Sequence, residues 1–208
     1  MTTSKPPRRR ALPPKPADRY HHGDLRAALL TSARLLLGEK GPEALSLRDV
    51  ARRLGVSHNA PYKHFASRDA LLADLAAEGF RELAARNAAA AGAATPDRAM
   101  AERGVAYVAY ALDNPSVFRL MFSPMLDKAA FPALREASQA SFAALGATTA
   151  AVAGTTPPAA APSSPLLAWA MVHGLASLLL DGQIAIPAGA SPLDVVRATL
   201  GASSPRPD

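Results

Sequence analysis

The sequence predicts an all-α protein, with an N-terminal three-helix helix-turn-helix domain followed by a C-terminal helical bundle. Three observations predict it. Apolar residues recur at steps of three and four along most of the chain, the spacing that gathers them on one face of an α-helix. Two short units of this kind meet across a turn of only three residues, Gly55-Val56-Ser57, the connection a helix-turn-helix requires. β-Branched residues are few and scattered among Ala and Leu, so no period-two pattern supports a strand.

The elements follow in order. Residues 1–19 are rich in Pro, Lys and Arg and hold almost nothing apolar, so they cannot offset the entropy of ordering and read as a disordered basic arm. From Asp24, placed to cap a first turn, Leu25, Ala28, Leu29, Ala33, Leu36 and Leu37 form an amphipathic helix that Gly41-Pro42 stops. A second helix has Ser46 as its cap, Leu47, Val50, Ala51 and Leu54 on one face, and Gly55 where a left-handed residue ends it. Asp49, three residues after Ser46, favours the positive end of that helix. A third helix is expected from Ser57 to about His64, closing a unit of residues 20–66.

Residues 67–200 read as the helical bundle. Ser67 caps a helix from Arg68 to about Ala91, with Leu71, Leu72, Leu75, Phe80 and Leu83 as its apolar positions and Thr95-Pro96 beyond its end. Further helices are expected at about Asp97–Leu112, Ser116–Phe122, Asp127–Ala153, Pro165–Leu180 and Pro192–Leu200. The segment Gly154–Pro165 has four prolines in twelve residues and reads as a loop, and residues 201–208 as a disordered tail.

Composition and charge narrow the function. The 208 residues include no cysteine, which excludes a disulfide framework, a thiolate nucleophile and Cys-ligated zinc or iron–sulfur centres. No apolar run is long enough for a membrane span, and the Arg8-Arg9-Arg10 region lacks the apolar core of a secretory signal, so a cytoplasmic protein is expected. Residues 1–68 carry 14 Lys and Arg against 5 Asp and Glu, whereas residues 69–208 carry 9 against 12. A basic block beside a neutral-to-acidic remainder points to a polyanionic partner, nucleic acid or an anionic membrane surface. The third helix decides between them. Its outer residues, His58, Asn59, Ala60, Tyr62, Lys63 and His64, suit a major groove: Asn pairs bidentately with adenine, Ala meets a thymine methyl, and Tyr, Lys and His reach phosphate oxygens. Arg48 and Arg68 frame the same surface.

These residues carry a resemblance. Leu45-Ser46-Leu47-Arg48-Asp49-Val50-Ala51, Leu54-Gly55-Val56-Ser57, Tyr62-Lys63-His64-Phe65 and Ser67-Arg68-Asp69-Ala70-Leu71 resemble the helix-turn-helix of the TetR family of bacterial transcription regulators, over about fifty residues from Asp24 to Leu72. The resemblance implies that Arg48 can read a guanine, that His58 and Asn59 face bases, and that Tyr62, His64 and Arg68 touch the backbone of double-stranded DNA. The candidate DNA-contacting set is thus Arg48, Ser57, His58, Asn59, Ala60, Tyr62, Lys63, His64 and Arg68. It also implies a homodimer paired through the C-terminal helices on a palindromic operator, a small-molecule effector, and repression as the default. Pro61 departs from the pattern: its missing N–H removes a bond to Ser57 and is expected to delay the third helix by one or two residues. The basic arm is longer than the family minimum, and Arg8–Arg10 either track a neighbouring groove or only solubilise the chain.

In the bundle, Trp169-Ala170-Met171-Val172-His173-Gly174 is similar to the run that names the WHG type of C-terminal regulatory domain, and Asn114-Pro115 with Val117-Phe118-Arg119-Leu120-Met121-Phe122 resembles that type too. Tyr107, Tyr110, Phe118, Met121, Phe122, Trp169 and His173 are the candidates for an effector pocket, from an apolar set that includes Met125, Phe131 and Met171; most of the set is expected to fill the core, with two or three residues lining a pocket. No cofactor, metal site or enzymatic activity is expected. His21 and His22 are adjacent with no carboxylate cluster at ligand spacing, and there is no phosphate loop, nucleophile elbow or His-Glu-x-x-His run. The alternatives are a sequence-tolerant architectural DNA-binding protein and a small-molecule binder whose helix-turn-helix is degenerate.

Overall fold

A computed structural model describes residues 22–94, 98–153 and 165–201. The basic arm, the proline-rich loop and the C-terminal tail lie outside the described residues. Among those described there are eight α-helices, one short 3₁₀ helix and no strand: α1 His22–Lys40, α2 Leu47–Leu54, the 3₁₀ helix Pro61–Lys63, α3 Arg68–Ala93, α4 Ala99–Asp113, α5 Pro115–Met121, α6 Pro132–Ala153, α7 Pro165–Leu180 and α8 Pro192–Leu200. None of these helices is long and apolar enough to cross a membrane.

Caps fix several boundaries. The Ser46 hydroxyl accepts the Asp49 N–H at 3.2 Å and the Ser67 hydroxyl accepts the Ala70 N–H at 3.0 Å, each satisfying a donor that the first helical turn leaves open. Gly41 and Gly55 take left-handed φ angles of 76° and 68° after α1 and α2, a conformation a Cβ would strain. Two expected boundaries shift. Asp24 lies inside α1, which already runs at His22, so it is not the cap. The helix expected from Asp127 begins at Pro132, because Pro132 suits a first helical position and residues 128–130 form a turn.

The third helix is corrected more deeply. Residues 58–60 form a turn, and helical structure is confined to the 3₁₀ helix at Pro61–Lys63. Without an N–H on Pro61, the bond to Ser57 cannot form, and the segment is held instead by tighter bonds from Ala60 N–H to Ser57 O, Lys63 N–H to Ala60 O and His64 N–H to Pro61 O.

α3 organises the molecule. Its N-terminal half packs against α1, and the rest of it packs against α4, α5 and α6; α4 in turn carries α7 and α8. One core runs through all of it, from Leu29, Leu37, Val50 and Phe65 to Leu83, Tyr110, Phe118 and Val172. α3 and α5 approach closely at Gly79, where a Cβ would stand 2.7 Å from Met121 Sδ and 2.8 Å from Val117 Cγ1. Met121 can swing aside, but the β-branched Val117 cannot. Gly79→Val is therefore expected to lose about 1–3 kcal/mol of stability through overpacking. Gly92→Ala, in the same helix with open space around it, is expected to gain about 0.5–1 kcal/mol. Urea midpoints measure both.

Candidate functional site

The helix-turn-helix is positioned by a small polar network. Asp49 receives Lys40 Nζ at 2.6 Å and the Ser46 hydroxyl at 2.7 Å, and pairs with Arg52 one turn on. The hydrogen bonds from Lys40 and then Ser46 hold its carboxyl below the usual carboxylate range, so it stays anionic and ties the end of α1 to the start of α2. Arg48 is exposed on that first turn. Beyond α2, Ser57, His58, Asn59, Tyr62 and Lys63 are exposed, Ala60 and His64 are half-buried, and Pro61 and Phe65 are buried beneath them. The apolar residues anchor the segment, and the polar ones are left to solvent. Arg68 is half-buried and partly committed: its Nη1 donates to the Glu43 carbonyl at 3.3 Å and it pairs with Asp69 at 3.0 Å.

A second feature is a cavity of about 840 Å³ in the bundle, bounded by α3, α4, α6, α7 and α8. Of the aromatic candidates Tyr107, Phe122 and Trp169 line it, and so does Met171 of the wider apolar set. Tyr110, Phe118 and Met121 do not: they are fully or almost fully buried in the core, where α5 packs against α3 and α4. His173 does not line the cavity either but backs its wall, with its ring 4.5 Å from that of Phe122 and its Nδ1 3.0 Å from Tyr107 Oη. Trp169 Nε1 donates to the same Tyr107 oxygen at 3.3 Å. Burial pushes the His173 imidazolium pKa down and the Tyr107 phenol pKa up, so both are neutral at pH 7. Tyr107 then accepts from Trp169 and shares a hydrogen bond with His173 Nδ1, which ties the three side chains together along that wall.

The polar groups of the cavity were not foreseen. Arg103 is only 8% exposed and donates to the Ala144 carbonyl at 2.6 Å and to the Asn87 carbonyl at 3.5 Å, joining α4 to α6 and α3. One signal for it existed: Arg103 stands in the apolar register of α4, three residues after Met100 and four before Tyr107. Asn87, Arg98, Lys128 and Gln139 also line the cavity, and no local spacing marks them. Among the described residues no three His, Asp or Glu side chains converge as metal ligands.

Comparison with known proteins gives matches over the whole architecture. Residues 29–75 match a family model described as bacterial regulatory proteins, tetR family, and residues 98–202 match one described as tetracyclin repressor-like, C-terminal domain. The solved structure of a protein with unknown function from Rhodococcus sp. RHA1 is 34% identical, with a TM-score of 0.76, covering 89% of this chain and 96% of that one. The HTH-type transcriptional repressor Rv3405c of Mycobacterium tuberculosis is 41% identical over 49 residues, which is 24% of this chain and 26% of that protein. The match thus spans about a quarter of the curated relative. AibR, in complex with isovaleryl coenzyme A and operator DNA, shares the fold at a TM-score of 0.66 and 13% identity, over 85% of this chain and 96% of AibR.

Proposed function

The chain belongs to the TetR family of bacterial regulatory proteins, and on that premise we propose that it is a transcription regulator that binds a palindromic operator as a homodimer and is released by a small molecule. Residues 20–66 read the DNA, and residues 67–200 dimerise and hold the effector. One observation carries this reading: the helix-turn-helix exposes Arg48, His58, Asn59, Tyr62 and Lys63 over a buried scaffold, and the helix that follows it, α3, goes on to line a cavity. Repression and a cytoplasmic location accompany the proposal, as does the absence of catalysis.

The coupling is mechanical. Arg26 pairs with Asp74 at 2.5 Å and Arg34 with Glu82 at 2.6 Å, fastening α1 to α3, while Tyr110 Oη donates to Glu82 at 3.2 Å from α4. Phe80, Leu83 and Asn87 of α3 face the cavity alongside Glu82, one of the two residues that hold α1, and up to about one and a half turns beyond it. A molecule that tilts α3 therefore swings the helix-turn-helix as a body. Two reading units on successive major-groove faces must sit about 34 Å apart, so an effector that prefers another spacing must weaken operator binding. AibR, seen with both a coenzyme A thioester and operator DNA, supports a ligand-responsive reading of this shared fold.

The test is selection of bound sequences from random DNA at roughly 150 mM salt, since phosphate contacts alone are salt-sensitive and unselective. A palindromic motif is expected, and His58→Ala or Asn59→Ala should lose about 1–3 kcal/mol of discrimination at defined positions. Recovery of all sequences alike, unchanged in the variants, would sink the proposal and favour an architectural binder.

A further inference from the structure

The side chains around the cavity have one sign of charge. Arg98, Arg103 and Lys128 line it, and no Asp or Glu does. Most of the remaining lining is apolar and includes the rings of Phe80, Phe122 and Trp169. Lys128 is the most telling of the three. Its ammonium lies 5.0 Å from the Phe80 ring centroid and 5.9 Å from that of Phe122, and among the described residues no carboxylate comes within ion-pair distance of it. Burial pushes its pKa down, the sign of a charge whose desolvation the two rings do not fully offset. Asn87, whose backbone carbonyl accepts from Arg103, adds a buried side-chain oxygen with no hydrogen-bond partner among the described residues.

We propose that this cavity takes an amphiphilic organic anion, a carboxylate or phosphate head on an apolar body, with Lys128 meeting the head and the aromatic wall holding the body. The physical reason is complementarity. Lys128 is a partly buried cation lining a mostly apolar space, and an anionic head beside it offsets that desolvation. A neutral molecule leaves that cost in place, and a cation raises it. A volume near 840 Å³ lies at the large end for small-molecule sites and accommodates a body of a dozen or so carbons. A hydroxyl or amide N–H on that body would satisfy the Asn87 oxygen.

The inference rests on the reading of the cavity as an effector site, and the test separates the two. Dodecanoate, dodecyl phosphate, 1-dodecanol and dodecylamine are titrated into the full-length protein below their aggregation limits. Trp169, the single tryptophan and part of the lining, reports binding by its fluorescence. At least one anion is expected to bind about tenfold or more tightly than the alcohol, with the amine weakest. The tighter of the two anions identifies the head group. Lys128→Met should remove most of that preference by weakening the anion far more than the alcohol, whereas Lys128→Arg should keep it. Alcohol or amine bound as tightly as both anions, or an anion preference untouched in Lys128→Met, overturns the proposal. Release of labelled operator is followed in parallel: anion binding without release would refute the effector role and leave the anion preference standing.

Discussion

Replacing Leu167 and Leu178 together by glutamate will turn the protein into a monomer and weaken its operator binding by a hundredfold or more, as expected when two linked reading units become independent. On α7, Ala168, Val172 and Ala176 are buried on the inner side. Leu167 and Leu178 are 53% and 47% exposed, with Ala170 and Gly174 in the same register, while Met171 between them also lines the cavity. A Cβ on Gly174 would meet nothing within 4 Å, so the space over this face is open within one chain. An apolar stripe of this length on a helix suits a second copy, and its small residues let two helices approach. A twofold interface presents every substitution twice, so the double variant would bury four unpaired carboxylates. In the monomer the same glutamates face water and cost the fold little. Sedimentation gives the mass, and anisotropy with the selected operator gives the affinity. A dimer of undiminished stability would show that copies pair through some other face.

Phe65→Ala is the second large effect, an expected loss of about 3–5 kcal/mol of folding stability. Phe65 is 2% exposed, the Arg26 guanidinium lies 5.4 Å above its ring, and its N–H donates to the Pro61 carbonyl at 2.9 Å. It is the anchor at the end of a segment otherwise held by one 3₁₀ turn. With the ring gone, Arg26 loses its aromatic face and the exposed residues 58–63 lose the floor that aims them. Operator affinity is expected to fall with stability. Tyr62→Ala supplies the contrast: at 51% exposure it should change stability by no more than about 0.5 kcal/mol while still weakening DNA binding. Urea denaturation and operator titration, run on both variants, separate the anchor from the contact. A Phe65→Ala protein within about 1 kcal/mol of the parent would mean that the site collapses around the gap.

Much of the architecture is legible before any coordinates. Ser46, Gly55 and Ser67 mark helix ends because a cap depends on residues within about four positions, and Pro192–Leu200, between Ser191 and Gly201, has its expected bounds for the same reason; Pro165–Leu180 has its expected bounds too. The apolar spacing in α3 puts Leu71, Leu72, Leu75, Phe80 and Leu83 in the core as written. Pro61 carried a warning that its own chemistry justified, although the consequence exceeded it: a helix expected to start late became a turn and a single 3₁₀ turn.

The sequence by itself determined the family, the all-helical class and the segment that carries the DNA-reading candidates, since each of these depends on short-range spacing or a contiguous motif. Tertiary structure alone decided which aromatic residues fill the core and which line the cavity. Periodicity assigns a residue to the buried face of its own helix, but whether that face meets another helix or a gap depends on how three or more helices pack. Hence Tyr110 is core and Tyr107 is wall, although they lie three residues apart on α4. The charge of the cavity was likewise largely invisible along the chain, Arg103 alone having a signal in its apolar register. Asn87, Arg98, Arg103 and Lys128 come from α3, the start of α4, α4 itself and the turn before α6, and only the packing of those elements brings them around one space.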